Sequence, residues 1–106
     1  MYALSSQHSW DIIGYLASGV DTMTLLKAVE LLENGDWEGA HSIAQKDDSV
    51  LGSWAHGIVH LMEGDVSNAG YWYKRAGREP AEPVNIAQEI SALKDRVNQH
   101  IAKPSP

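Results

Sequence analysis

The 106-residue sequence contains no cysteine and no phenylalanine, and its four prolines all lie at or beyond position 80. Without cysteine there are no disulfides, no thiolate metal ligands and no cysteine nucleophile, which fits a reducing cytoplasm. The late prolines leave everything before residue 80 free to run as helix. Basic residues are scarce: 8 Lys and Arg stand against 14 Asp and Glu, a formal charge of −6. No nucleic-acid partner is therefore expected, because phosphates need cationic side chains to replace their counterions. An anionic membrane surface is disfavoured on the same ground. Long apolar runs are missing too. None exceeds four residues, against roughly 20 for a membrane span. The opening Met1-Tyr2-Ala3-Leu4-Ser5 has neither a basic segment nor a long apolar stretch, so no signal peptide is expected.

What is present is ordinary for one cytoplasmic globular domain: 43% hydrophobic and 21% charged residues. The aromatic set is unusual, with four Trp, four Tyr and five His. Trp and Tyr each carry a polar handle, so they suit positions that are half buried and half engaged in recognition.

Apolar residues recur with helical spacing along the chain, and no segment alternates with the period of a strand. The pattern predicts an all-α domain of five to six helices. The first covers 9–18, with Trp10, Ile13, Leu16 and Ala17 inward. A helix pair follows over 21–46, capped by Asp21 and Asp36, with Leu25, Ala28, Val29 and Leu32 and then Trp37, Ala40, Ile43 and Ala44 facing inward. A second pair spans 50–77, and its latter helix is expected to bury Val66, Ala69, Trp72, Tyr73 and Ala76. A polar connector with Pro80 and Pro83 leads to a C-terminal capping helix over 84–101. Its narrow stripe of Ile86, Ile90, Leu93, Val97 and Ile101 either lies in a groove of the same chain or forms a homodimer seam. Residues 102–106 form a tail. Gly14, Gly39, Gly52, Gly57 and Gly70 fall inside predicted helices, where close helix–helix contact is the expected reason for them.

The two pairs share a pattern. Leu31-Leu32-Glu33-Asn34-Gly35-Asp36-Trp37 parallels Leu61-Met62-Glu63-Gly64-Asp65-Val66, and Ala40 and Ala69 each follow their Asp by four positions. Glycine supplies a left-handed turn that stops one helix, and aspartate caps the next. The run Gly64-Asp65-Val66-Ser67-Asn68-Ala69, with Tyr73, Ala76 and Pro80, resembles tetratricopeptide repeats. Gly35-Asp36-Trp37-Glu38-Gly39-Ala40 resembles them over a shorter stretch. The Gly-Asp pairs lie 29 residues apart, short of the usual ~34. The likeness covers about residues 21–80 and implies a compact, tetratricopeptide-like domain. Residues 35–77 also resemble a family of small uncharacterised bacterial helical proteins. Gly35-Asp36-Trp37, Ala40-His41, Gln45, Trp54, His56, His60, Glu63-Gly64-Asp65, Asn68-Ala69, Tyr71-Trp72-Tyr73 and Arg75-Ala76-Gly77 carry that resemblance, and Leu61 departs from it. It implies relatives, with no activity to transfer.

Two sets of residues invite chemistry. On a helical projection Ser49, Ser53, His56, His60 and Glu63 share one strip about 80° wide on an otherwise apolar helix. The strip reads as that helix's wet face or a hydrogen-bonded seam. If the preceding helix packs antiparallel, His41 joins it, with Gln45 one turn on. Three imidazoles and a carboxylate suit zinc or another divalent metal. The zincin pattern is absent, since Gly57 stands where its Glu would follow the first His. The second set is Asn68, Tyr71 and Arg75 along one helix edge, with Trp72 between them and the core. It reads as a peptide- or anion-binding strip or as a surface edge with Arg75 lying over an aromatic face. Neither a serine nucleophile motif, a phosphate loop nor a dinucleotide fingerprint is present.

The leading expectation is a non-enzymatic module that binds a protein or peptide through His41, His56, His60, Glu63, Asn68, Tyr71, Trp72 and Arg75, with no cofactor and no metal. The alternative is a small His-dependent enzyme or metal-binding protein using His41, His56, His60 and Glu63.

Overall fold

A computed structural model describes residues 21–102, so the helix expected over 9–18 and the last four residues of the tail lie outside the described residues. Within them the chain is all-α, with no strand. Five helices, α1 (Thr22–Glu33), α2 (Trp37–Ala44), α3 (Val50–Met62), α4 (Val66–Arg75) and α5 (Ile86–Ala102), follow one another, with a single 3-10 turn at Pro83–Asn85 before α5. None of these helices is long and apolar enough to cross a membrane.

Four of the five helix starts have a local chemical cause. Asp21, Asp36, Ser49 and Asp65 take the N-cap positions, and their side chains accept from the backbone N–H groups of Thr24, Gly39, Gly52 and Asn68. The stops are equally local. Gly35 and Gly64 adopt φ of 81° and 86°, a left-handed conformation open to glycine at little cost. At both hinges the following Asp N–H reaches back 2.8 Å to a carbonyl five residues earlier, Leu31 for Asp36 and His60 for Asp65. The two Gly-Asp turns are thus the same device used twice. Gly77 repeats the stop a third time, with Arg78 N–H bonded to Tyr73 O.

The hairpins α1–α2 and α3–α4 pack together, and α5 lies across α1 and α3. Helix α3 touches the other four helices, and every residue from Leu51 to Leu61 is buried. The α5 stripe is spent inside the chain: Ile90, Leu93 and Val97 are buried in the common core. Glu89 fixes that docking. Its Oε1 accepts from Trp54 Nε1 at 3.0 Å and from Tyr73 OH at 2.7 Å. Burial, and then the Glu89 contact, push the Tyr73 hydroxyl pKa well above its ordinary value. The Arg78 guanidinium lies 3.6 Å from the Trp54 ring centroid, a cation–π contact.

Several expectations are corrected. Val66 is 53% exposed because, although it shares a face with Ala69 and Tyr73, it is the first residue of α4 and stands at the turn, where the buried stripe runs out. Ile101 is also exposed, near the end of α5 and beyond the core. The residues before Ile86 form a 3-10 turn rather than the first α turn. Of the internal glycines described, Gly57 alone meets a neighbouring helix. A Cβ there would lie 2.7 Å from Tyr73 Cδ2, whereas Gly39 and Gly52 abut the side chains of Asp36 and Asp47, and Gly70 faces open space.

Candidate functional site

The polar strip of α3 is wet only at its ends, Ser49 and Glu63. Ser53, His56 and His60 are buried, with His56 5% and His60 8% exposed. Helix α2 covers one side of the strip and α4 another, so the strip became the floor of a junction between the two hairpins.

His41, half-buried on α2, delivers its ring to that junction. Its Nε2 lies 3.1 Å from His56 Nε2, and its ring stands nearly perpendicular to that of His56. His60, one turn beyond His56, has its ring centroid 4.9 Å from that of His56 and 5.6 Å from that of His41. One ligand atom from each of the three histidines lies within 4.8 Å of the others. Glu63, the C-cap residue of α3, pairs with His60 Nδ1. A carboxylate can only accept here, so His60 Nδ1 carries a proton, and in the neutral ring Nε2 keeps its lone pair.

The two nitrogens of His56 have different fates. Nε2 faces His41, and Nδ1 is buried with no hydrogen-bond partner. Desolvation lowers the His56 pKa to about 4, with the His41 and His60 rings adding to the effect, so the ring is neutral at pH 7.

Trp72, expected in the core, is only half-buried. Its indole stacks on the His56 ring, centroids 3.9 Å apart and planes within 9°. That contact joins the histidine set to the aromatic set. Tyr71 stands edge-on to Trp72, 53% exposed, and Arg75 lies 5.3 Å from the Trp72 centroid and 3.5 Å from the Tyr71 hydroxyl. Asn68 stays apart: it is exposed, and its side chain donates to the Asp65 cap. Gln45, at the C-cap of α2, is exposed as well. The structure therefore brings His41, His56, His60, Glu63 and Trp72 together, with Tyr71 and Arg75 at the rim.

Sequence reasoning missed the Trp54–Glu89–Tyr73 network. Its one signal was Trp54 itself, an indole N–H on an apolar helix that must find an acceptor when buried.

No family model, curated protein or solved structure matches this chain. The tetratricopeptide likeness accordingly rests on the turn motif, and function must be argued from the site.

Proposed function

We propose that the chain is a non-enzymatic binding domain whose site is the junction of His41, His56, His60 and Trp72, with Glu63 behind His60. One observation carries the reading: the arrangement is expensive. A buried imidazole nitrogen without a partner costs about 1–3 kcal/mol, and His56 Nδ1 is such an atom. Three imidazoles also crowd together where leucine or valine would fill the same space at no polar cost. Natural sequences keep local arrangements of this kind at functional sites. A protein or peptide segment approaching the junction would meet the exposed Tyr71 and Arg75 and the open edge of Trp72 first.

The test is a stability trade. His56→Leu removes the orphaned nitrogen but forfeits the stacking on Trp72, worth ~0.5–1.5 kcal/mol, and the 3.1 Å hydrogen bond with His41, worth about 0.5–1.5 kcal/mol. The expected net effect on urea unfolding of the metal-free protein is within about 1 kcal/mol of zero, small beside the loss of about 2–5 kcal/mol when a residue essential to a core is removed. A loss of 1 kcal/mol or more would make the cluster a structural seam and end the binding reading.

A further inference from the structure

We infer that the ligand of this junction is a divalent transition-metal ion of the zinc class, held by His41, His56 and His60. The inference rests on the binding reading above and names its occupant.

Imidazole nitrogens suit zinc, nickel, copper and cobalt, whereas magnesium and calcium take oxygen donors. Three such nitrogens converge from two helices. The 3.1 Å hydrogen bond between His41 Nε2 and His56 Nε2, which a metal ion would replace, has nearly the length of the edge of a zinc coordination tetrahedron, about 3.3 Å for Zn–N bonds of about 2.0–2.1 Å. The i, i+4 pair His56 and His60 presents both rings on one side of α3, stacked within 23° of parallel. The three ligand atoms lie within 4.8 Å of one another, against about 3.3 Å for the tetrahedron edge, so the remaining separations must close on binding.

A further feature points to a ligand: Glu63 takes the Nδ1 proton of His60 as its hydrogen bond, which in the neutral ring leaves Nε2 free. A carboxylate behind a ligating histidine is the usual outer-shell support of a zinc site. Glu63 is thus a positioning residue. Three protein donors fill three places of a tetrahedron, and the fourth is left for water or an incoming donor on the side of His41, the least buried of the three.

The neighbouring set of His60, Glu63 and Asp65 does not compete. Glu63 is committed to His60, and the Asp65 carboxylate caps α4 through Asn68.

The full chain, stripped with chelator, is titrated with Zn2+ by calorimetry and with Co2+ by visible absorption, with Mg2+ as a third titrant. The expected result is one equivalent of Zn2+ and of Co2+, a tetrahedral Co2+ spectrum and no Mg2+ uptake. His41→Ala, at a half-buried position, should weaken Zn2+ binding at least about tenfold, and Glu63→Gln about 10–100-fold, both with unchanged helical content. No uptake of Zn2+ or Co2+ in the micromolar range, or uptake indifferent to His41→Ala, overturns the inference. Failure here is separable from failure of the binding reading. If His56→Leu leaves the stripped chain within about 1 kcal/mol of wild type but no metal is taken up, the junction binds something else and the metal assignment alone falls.

Discussion

Acid should unfold the metal-free protein through His56 before it titrates most carboxylates. The ordinary imidazole pKa is 6.5, and in the folded chain that of His56 is lowered to about 4. Between those values the unfolded chain binds a proton at His56 that the folded chain refuses. Stability must then fall as pH falls. The contribution of His56 is fully present above about pH 6.5, declines through the interval and levels off below about pH 4. At 1.36 kcal/mol per pH unit the ceiling is about 3 kcal/mol, and water reaching the ring past half-buried His41 reduces this to about 2 kcal/mol. The groups facing His56 are His41 from α2, His60 from α3 and the uncharged Trp72 from α4, with Glu63 held against His60. The assay is urea unfolding across about pH 7 to pH 4.5, comparing wild type with His56→Leu, in which every carboxylate still titrates. Wild type should lose about 2 kcal/mol more than the variant. Parallel curves would refute a buried, neutral His56.

Two contacts that shape the junction can be tested by packing. Gly57→Ala places a methyl 2.7 Å from the buried Tyr73 ring, whose hydroxyl is tied to Glu89, so the ring cannot yield freely. Overpacking of about 1–3 kcal/mol should outweigh the roughly 1 kcal/mol helix-propensity gain, whereas Gly70→Ala meets nothing and should raise thermal stability by about 0.5–1 kcal/mol. Equal effects at the two sites in thermal melts would contradict the packing. Glu89→Ala leaves the Trp54 and Tyr73 donors unpaired and should cost about 2–4 kcal/mol in urea unfolding. Glu89→Gln keeps an accepting oxygen and should cost less than half as much. Identical losses would show that the carboxylate oxygen is not the acceptor.

What the sequence disclosed was what neighbouring residues settle among themselves. The hinges were legible because Gly35-Asp36 and Gly64-Asp65 carry both the left-handed turn and the cap within two positions. The strip of His56 and His60 was legible too, because spacing on a helix fixes which side chains share a face. What covers that face was not legible. Helices α2 and α4 cover it, and the approach of α4 depends on Gly57 accepting the Tyr73 ring, a contact between residues 16 positions apart. Val66 was misplaced because helical spacing fixes its face, shared with Ala69 and Tyr73, and not where along the helix the cover ends. Trp72 was assigned to the core because a helical stripe cannot distinguish packing on leucine from packing on an imidazole. The Trp54–Glu89 bond spans 35 positions, and no local pattern announces it.

Hinge and site are mechanically one object. His60 gives its side chain to Glu63 and its carbonyl to the N–H of Asp65, so one residue anchors both the cluster and the second Gly-Asp turn. The turn reverses the chain so that α4 returns along α3, and Gly57 lets it come close enough for Trp72 to reach His56. The first hinge does the same for α2, placing His41 five residues after Asp36. A ligand drawing His41, His56 and His60 together would therefore pull on both hairpins through rigid helices. It would have little backbone to order, because the caps and left-handed glycines already hold the frame. Preorganisation of that kind favours tight binding by a few donors. It explains why so small a domain devotes two copies of one turn to bringing three imidazoles to the same place.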